Sequence, residues 1–169
     1  MMRYKIVIDS CGELLDEWKN NEHFESVPLT LMVGTEQIID DETFDQESIL
    51  KKVAACPECP KSACPSPERY MRAFDCNAEH IYVITLSAEL SGSYNSALLG
   101  RNLLLEDHPD KKIHVFNSCS ASVGQTLIAL KIQECEEAGM EFEKVISTVE
   151  RYIESQNTFF VLENLETLR

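Results

Sequence analysis

Short runs of apolar and β-branched residues alternate with amphipathic helical stretches along this chain, and no other feature restricts its fold as much. Tyr4–Asp9 (YKIVID), Ile81–Leu86 and Ile113–Phe116 read as buried strands. Between and after them, Ser93–Glu106 and Val123–Glu137 have helical spacing. Phe142, Val145, Ile146, Val149 and Ile153 form a one-faced stripe at i, i+3, i+4, i+7 and i+11. Strands separated by helices imply an α/β fold with a mainly parallel sheet and helices on both faces.

The remaining segments fill in that plan. Ser10–Gly12 is read as a turn, Leu14–Asn20 as a brief helix, and Val27–Val33 as a second strand with Pro28 at its start or on an edge. Gln37–Ile39 pairs with that strand across the Gly34–Thr35 turn. Asp45 caps a helix over Gln46–Ala55. A Pro- and Cys-rich loop, Cys56–Pro67, precedes a helix at Pro67–Phe74, where proline suits the first turn. Gly139 ends the long helix before it, and Thr158–Leu162 is expected to close the domain as a strand.

The stretch His80–Leu105, HIYVITLSAELSGSYNSALLGRNLLL, carries the functional signal. A strand runs into Ser87, Ser91, Gly92 and Ser93, and a helix follows at once. Backbone N–H groups and the positive end of a helix dipole therefore converge beyond a strand's carboxyl edge, a place suited to a carboxylate or phosphate. Open sheets of this kind bind ligands at that edge. Two other strand ends bear similar chemistry: Asp9-Ser10, and Asn117-Ser118 with Ser120 and Ser122. Each serine alone is also an ordinary helix cap; three clusters on one edge favour a ligand.

Charge narrows the partners. Fifteen Lys and Arg stand against 29 Asp and Glu, a formal net charge of −14. Such a field repels phosphate backbones and anionic bilayers, so no nucleic acid and no stable membrane insertion are expected. No apolar run approaches the roughly 20 residues of a membrane helix. MMRYKIVIDS lacks a signal-peptide core. Seven cysteines, an odd number, do not suggest a secreted disulfide framework, so a reducing cytoplasm is the expected location.

Competing chemistries have weaker supports. Cys56, Cys59 and Cys64 have metal-like spacing, with Cys76 and His80 as conceivable further ligands, but a proline-rich loop also tolerates free thiols; no metal is assigned. A serine-dependent esterase would use Ser91 or Ser10. It needs an oriented base, and His23, His80, His108 and His114 fall at strand starts or in loops, away from the hydroxyls. No G-x-S-x-G elbow is present, so no catalytic residue is assigned. A small-anion-binding domain with a Cys-rich metal loop is the other alternative. A dinucleotide site is discounted because the turn after the first strand has one glycine, Gly12, and no G-x-G-x-x-G. Trp18 and Phe24 are read as core or tunnel-lining, not as a stacking platform.

IVIDS with VPLTLMV near the start, KSACPSP at Lys61–Pro67, ITLSAELSGSYNSA at Ile84–Ala97, HVFNSCSASVGQ at His114–Gln125 and the closing FFVLENLETLR together resemble the DegV family of bacterial fatty-acid-binding proteins. The resemblance runs through essentially the whole chain. It implies a long-chain fatty acid with its tail in an apolar tunnel and its carboxylate on strand-end hydroxyls. It further implies a carrier, not an enzyme, without cofactor, that presents the acid to a separate fatty-acid kinase for acyl phosphate formation. Carried over, the head-group residues are Ser62, Ser91 and Gly92. The loop here reads Ser62-Ala63-Cys64-Pro65 where the family pattern is usually Thr-Ser-Gln-Pro, and Asn117 stands where an Asp is usual. The resemblance makes residues 1–162 the family's N-terminal lipid-binding domain and 163–169 the start of a link to a second domain that supplies a head-group histidine. Arg169 is not assigned to the site.

Overall fold

A computed structural model describes residues 2–161. In chain order the elements are β1 (Met2–Asp9), β2 (Phe24–Val27), β3 (Thr30–Val33), β4 (Glu36–Ile39), α1 (Gln46–Ala55), β5 (Lys61–Ala63), α2 (Pro67–Phe74), β6 (Ala78–Thr85), α3 (Ser93–Asp107), β7 (Lys112–Asn117), α4 (Val123–Glu137) and α5 (Phe142–Ser155). Strands β2-β1-β6-β7 form a parallel sheet, and β4-β3-β5 a small antiparallel one. The α/β class with helices on both faces is as the sequence implied.

Side-chain parity builds the layers. Ile6 and Ile8 of β1, Tyr82 and Ile84 of β6, and Phe116 of β7 face Ile128, Ile132, Val145 and Val149 of α4 and α5. Their neighbours Val7, Ile81, Val83 and Val115 face Tyr70, Phe74, Ala97 and Leu104 of α2 and α3. A one-residue slip of any central strand would exchange the two sets, so burial on both faces sets the register. Trp18 and Phe24 stack with ring centroids 4.2 Å apart, inside the first of these cores.

Four expectations are corrected. Leu14–Asn20 is a series of turns, not a helix, held by a bond from the Trp18 amide to Leu15 O. Seven residues cannot repay helix nucleation unaided, and burial of Trp18 is met by the turns. Val27–Val33 is two strands, β2 and β3, parted at Pro28–Leu29. Pro28 has no N–H to give, and the Leu29 amide donates to Ser10 Oγ at 3.0 Å instead of to a ladder. The Cys-rich loop contains β5, whose three residues are exposed and pair with β3. Thr158–Val161 form no strand; Leu162 lies outside the described residues.

A buried polar cluster joins α4 to the amino edge of the sheet. Glu136, whose side chain is fully buried, accepts from His80 Nδ1 and Tyr82 Oη at 2.6 Å on one oxygen and from Arg3 Nε at 2.7 Å on the other. Arg3 also donates to Met140 O beyond the end of α4. Tyr82 is held protonated by burial and by this carboxylate.

Candidate functional site

At the opposite, carboxyl edge, the ends of β1, β6 and β7 meet the first turns of α3 and α4. Asp9, the last residue of β1, is fully buried. Its Oδ2 accepts from Ser93 Oγ at 2.7 Å and the Leu86 amide at 2.8 Å, and its Oδ1 from Gln125 Nε2 at 2.9 Å. Burial pushes the carboxyl's pKa up, against the opposing pull of these donors. Because Ser93 gives its proton to Asp9, Tyr70 Oη, 2.7 Å away, must be the donor to Ser93 Oγ. One carboxylate thereby ties together β1, β6, α2, α3 and α4.

Ser91 stands on the outer side of this hub, half-buried. Its Oγ accepts the Ser93 amide at 3.1 Å, and no described residue accepts its own proton. The hydroxyl is thus oriented by its lone pair and left as a free donor. Gly92 lets the loop after β5 come close: a Cβ there would stand 3.2 Å from Cys64 Sγ. Ser96 Oγ donates to Pro65 O at 2.5 Å, seating the same loop on α3. The segments bearing Ser62 and Ser91 are therefore in contact. Ser62 itself is exposed in β5, in register with Leu31.

Three other strand-end hydroxyls, those of Ser10, Ser118 and Ser120, are engaged in building the edge. Ser10 Oγ donates to Asp40 Oδ2 at 2.7 Å and so ties β1 to the β3–β4 hairpin. Ser118 Oγ accepts the Ser120 amide, and the Ser120 hydroxyl pairs with Thr158 Oγ1 at 2.6 Å. Asn117 Oδ1 accepts from the Ala88 and Cys119 amides, a role needing no charge, which explains why Asn serves there. Cys119 and Ser122 take φ of 49° and 52° in the tight approach to α4. Gly124 leaves room for Ser120, since a Cβ there would meet Ser120 Oγ at 1.9 Å and Ser120 Cβ at 2.8 Å.

Sequence reasoning flagged Asp9 as part of a strand end but missed that it is the hub, and it missed Gln125. The signal was an acidic residue ending an otherwise apolar strand, which burial obliges to find several donors. It also read His80 as packing or solvent-facing: the ring is buried against Glu136 at the far edge. No histidine touches Ser91 or Ser10 in the described residues. Among those residues no three His, Cys, Asp or Glu side chains gather as a metal site, so Cys56, Cys59 and Cys64 form no such cluster with Cys76 or His80. All seven cysteines are free. Two open surface grooves of about 340 and 320 Å³ lie elsewhere, one at Lys111–Ile113 against α5, the other along β7 from His114 to Asn117; neither includes Ser62, Ser91 or Gly92. No helix of the described residues is long and apolar enough to cross a membrane.

Fold and edge together define a three-layer α/β domain whose free polar donors gather beyond the strands' carboxyl ends. The DegV family model, described as "Uncharacterised protein, DegV family", matches residues 3–169, and the chain belongs to that family. A DegV domain-containing protein of Streptococcus pneumoniae is 40% identical over 169 residues, which are 99% of this chain and 60% of the relative. A DegV-family protein of Ruminococcus gnavus, solved with vaccenic acid, is 59% identical at a TM-score of 0.95, over 99% of this chain and 60% of that one. The Streptococcus pneumoniae Fatty Acid Kinase (Fak) B3 protein loaded with linoleic acid is 41% identical at a TM-score of 0.82, covering 90% of this chain and 55% of its own. This chain thus spans about three fifths of the length of these relatives.

Proposed function

We propose that this chain binds a long-chain fatty acid at its carboxyl edge, with the carboxylate on Ser62, Ser91 and the uncovered backbone at Gly92 and the tail in an apolar channel. The observation that carries the reading is the Ser91 hydroxyl, which accepts from the Ser93 amide and whose proton has no acceptor among the described residues. It lies on a segment shared with a 59%-identical protein solved with vaccenic acid. Burial contributes roughly 0.8 kcal/mol per methylene, so about fourteen of them supply on the order of 11 kcal/mol before the cost of association. Neutral donors then suffice to keep the buried carboxylate paired. They also leave its oxygens open to accept a phosphoryl group, as a bidentate arginine would not. We therefore take the chain for a cytoplasmic carrier that presents the acid to a separate kinase, in keeping with its likeness to the Fak B3 protein. It needs no cofactor of its own and performs no catalysis.

The test is displacement of a fluorescent fatty acid by oleate. Ser91→Ala removes a hydrogen bond to a charged group, normally about 1.5–3 kcal/mol, so affinity should fall roughly tenfold or more. Affinity equal to that of the unsubstituted protein refutes the assignment. Native mass spectrometry should meanwhile find a co-purified fatty acid of about 16 to 18 carbons on the purified chain, a length that supplies about fourteen or more methylenes.

A further inference from the structure

Asp9 is fully buried near the proposed head-group site, and among the described residues no cation bears on it. From α3 it faces Ser93, from α2 the Tyr70 hydroxyl through Ser93, from β6 the Leu86 amide, and from α4 Gln125. On the connection after β1 stand the Cys11 amide, which pulls the Asp9 carboxyl down, and the Cys11 thiol, itself pushed up by burial and by Asp9 and Asp40; Asp40, which follows β4, is bonded to Ser10. Cys64 adds a further thiol near Tyr70. All these groups are neutral or acidic. Asp9 is also one hydrogen bond from Ser93, whose amide holds Ser91. Its carboxylate therefore draws on the same α3 N-terminal dipole that would receive a ligand anion.

We infer that the Asp9 carboxylate opposes the ligand's carboxylate across Ser93, so that the charge on Asp9 tunes how tightly the site holds an anionic head group. This rests on the head-group reading above. A like charge raises the free energy of the bound anion without touching it, which keeps the acid exchangeable and its oxygens nucleophilic. The upward push of burial on Asp9 gives the effect a pH dependence: affinity for an anion rises as Asp9 takes up a proton.

The structure also offers a clean substitution. Gln125 Oε1 is buried without a partner, so in Asp9→Asn the Gln125 amide turns over and accepts from the new Asn amide. The fold keeps its bond at that point while the charge is lost. Unit charges on the order of 8 Å apart at an effective dielectric near 20, partly screened, change affinity by about tenfold. At pH 8, D9N should thus bind oleate about tenfold tighter than the unsubstituted chain, yet bind oleyl alcohol equally. A merely structural role would weaken both. Hexadecyl sulfonate, whose charge does not titrate, should bind the unsubstituted chain more tightly as pH falls until Asp9 is protonated, whereas D9N stays flat over the same range. If D9N fails to fold, the sulfonate profile of the unsubstituted chain decides alone, and a flat profile overturns the inference. Oleate affinity of D9N equal to or below that of the unsubstituted chain, with Ser91→Ala weakened as expected, overturns the inference and spares the head-group reading. Unchanged oleate affinity in Ser91→Ala overturns both.

Discussion

Replacing Glu136 by Gln tests whether the amino-edge cluster is held by charge. Three donors converge on this one buried carboxylate: Arg3 Nε, His80 Nδ1 and Tyr82 Oη. A glutamine keeps one acceptor. If its oxygen stays on Arg3, its NH₂ faces His80 and Tyr82, where two donors pointed before. His80 can answer by moving its proton to Nε2, an atom that is buried without a hydrogen-bond partner, 3.6 Å from Glu79 Oε1. Tyr82 cannot, and its hydroxyl proton is left unpaired in the core, 0% exposed. A weakened bond to a charged donor plus one orphaned hydroxyl costs about 2–3 kcal/mol, and Glu136→Ala, which strands the two buried donors His80 and Tyr82 and opens a cavity, about 3–5 kcal/mol. For a chain of this size, 2–3 kcal/mol lowers Tm by roughly 5–10 °C. Urea denaturation read by circular dichroism should show a lower midpoint with an unchanged slope. The lipid binding proposed for the opposite edge should be untouched in E136Q. A loss below about 0.5 kcal/mol refutes the charge hub, because surface substitutions reach that size without one.

Two further outcomes follow from named contacts. Gly124→Ala places a methyl 1.9 Å from Ser120 Oγ and 2.8 Å from Ser120 Cβ; rotating the hydroxyl breaks its bond to Thr158 and leaves the Cβ clash, so chemical denaturation should show a loss of about 1–3 kcal/mol. His114 is pushed down to about 4 by burial, with Arg101 adding to the effect, while its unfolded value is near 6.5. A folded value below the unfolded one means stability that is complete above about pH 6.5 and declines as pH falls through about 4; Glu150, 3.7 Å from the ring, moderates the loss. His114→Phe should flatten that decline in pH-dependent unfolding, and parallel curves for the two proteins would refute it.

The parts of the fold most legible in the sequence were those where burial acts on both faces. YKIVID, HIYVIT and KIHVFN are nearly continuous apolar runs because α4 and α5 cover one side and α2 and α3 the other. The one-sided stripe from Phe142 to Ile153 named α5 for the same reason. What failed was structure held by single contacts. β5 has no apolar alternation to read, being exposed throughout, and exists because β3 offers a free edge. The break between β2 and β3 depends on a serine 19 residues away bonding the Leu29 amide, which no local pattern contains. At the site, Ser91 and Gly92 were legible as a strand-to-helix turn. The Asp9–Gln125 bond was not, since it joins residues 116 apart.

Helix α4 is anchored at both ends by buried polar groups, Gln125 on Asp9 at its start and Glu136 on His80 and Tyr82 at its finish. Sliding it by one turn would take Gln125 from Asp9 and Glu136 from its three donors at once, so this helix behaves as a fixed rail. The opposite wall is held more lightly: the Cys64 loop rests on α3 through the Ser96–Pro65 bond and the bare backbone of Gly92, so any opening for the proposed ligand is expected there.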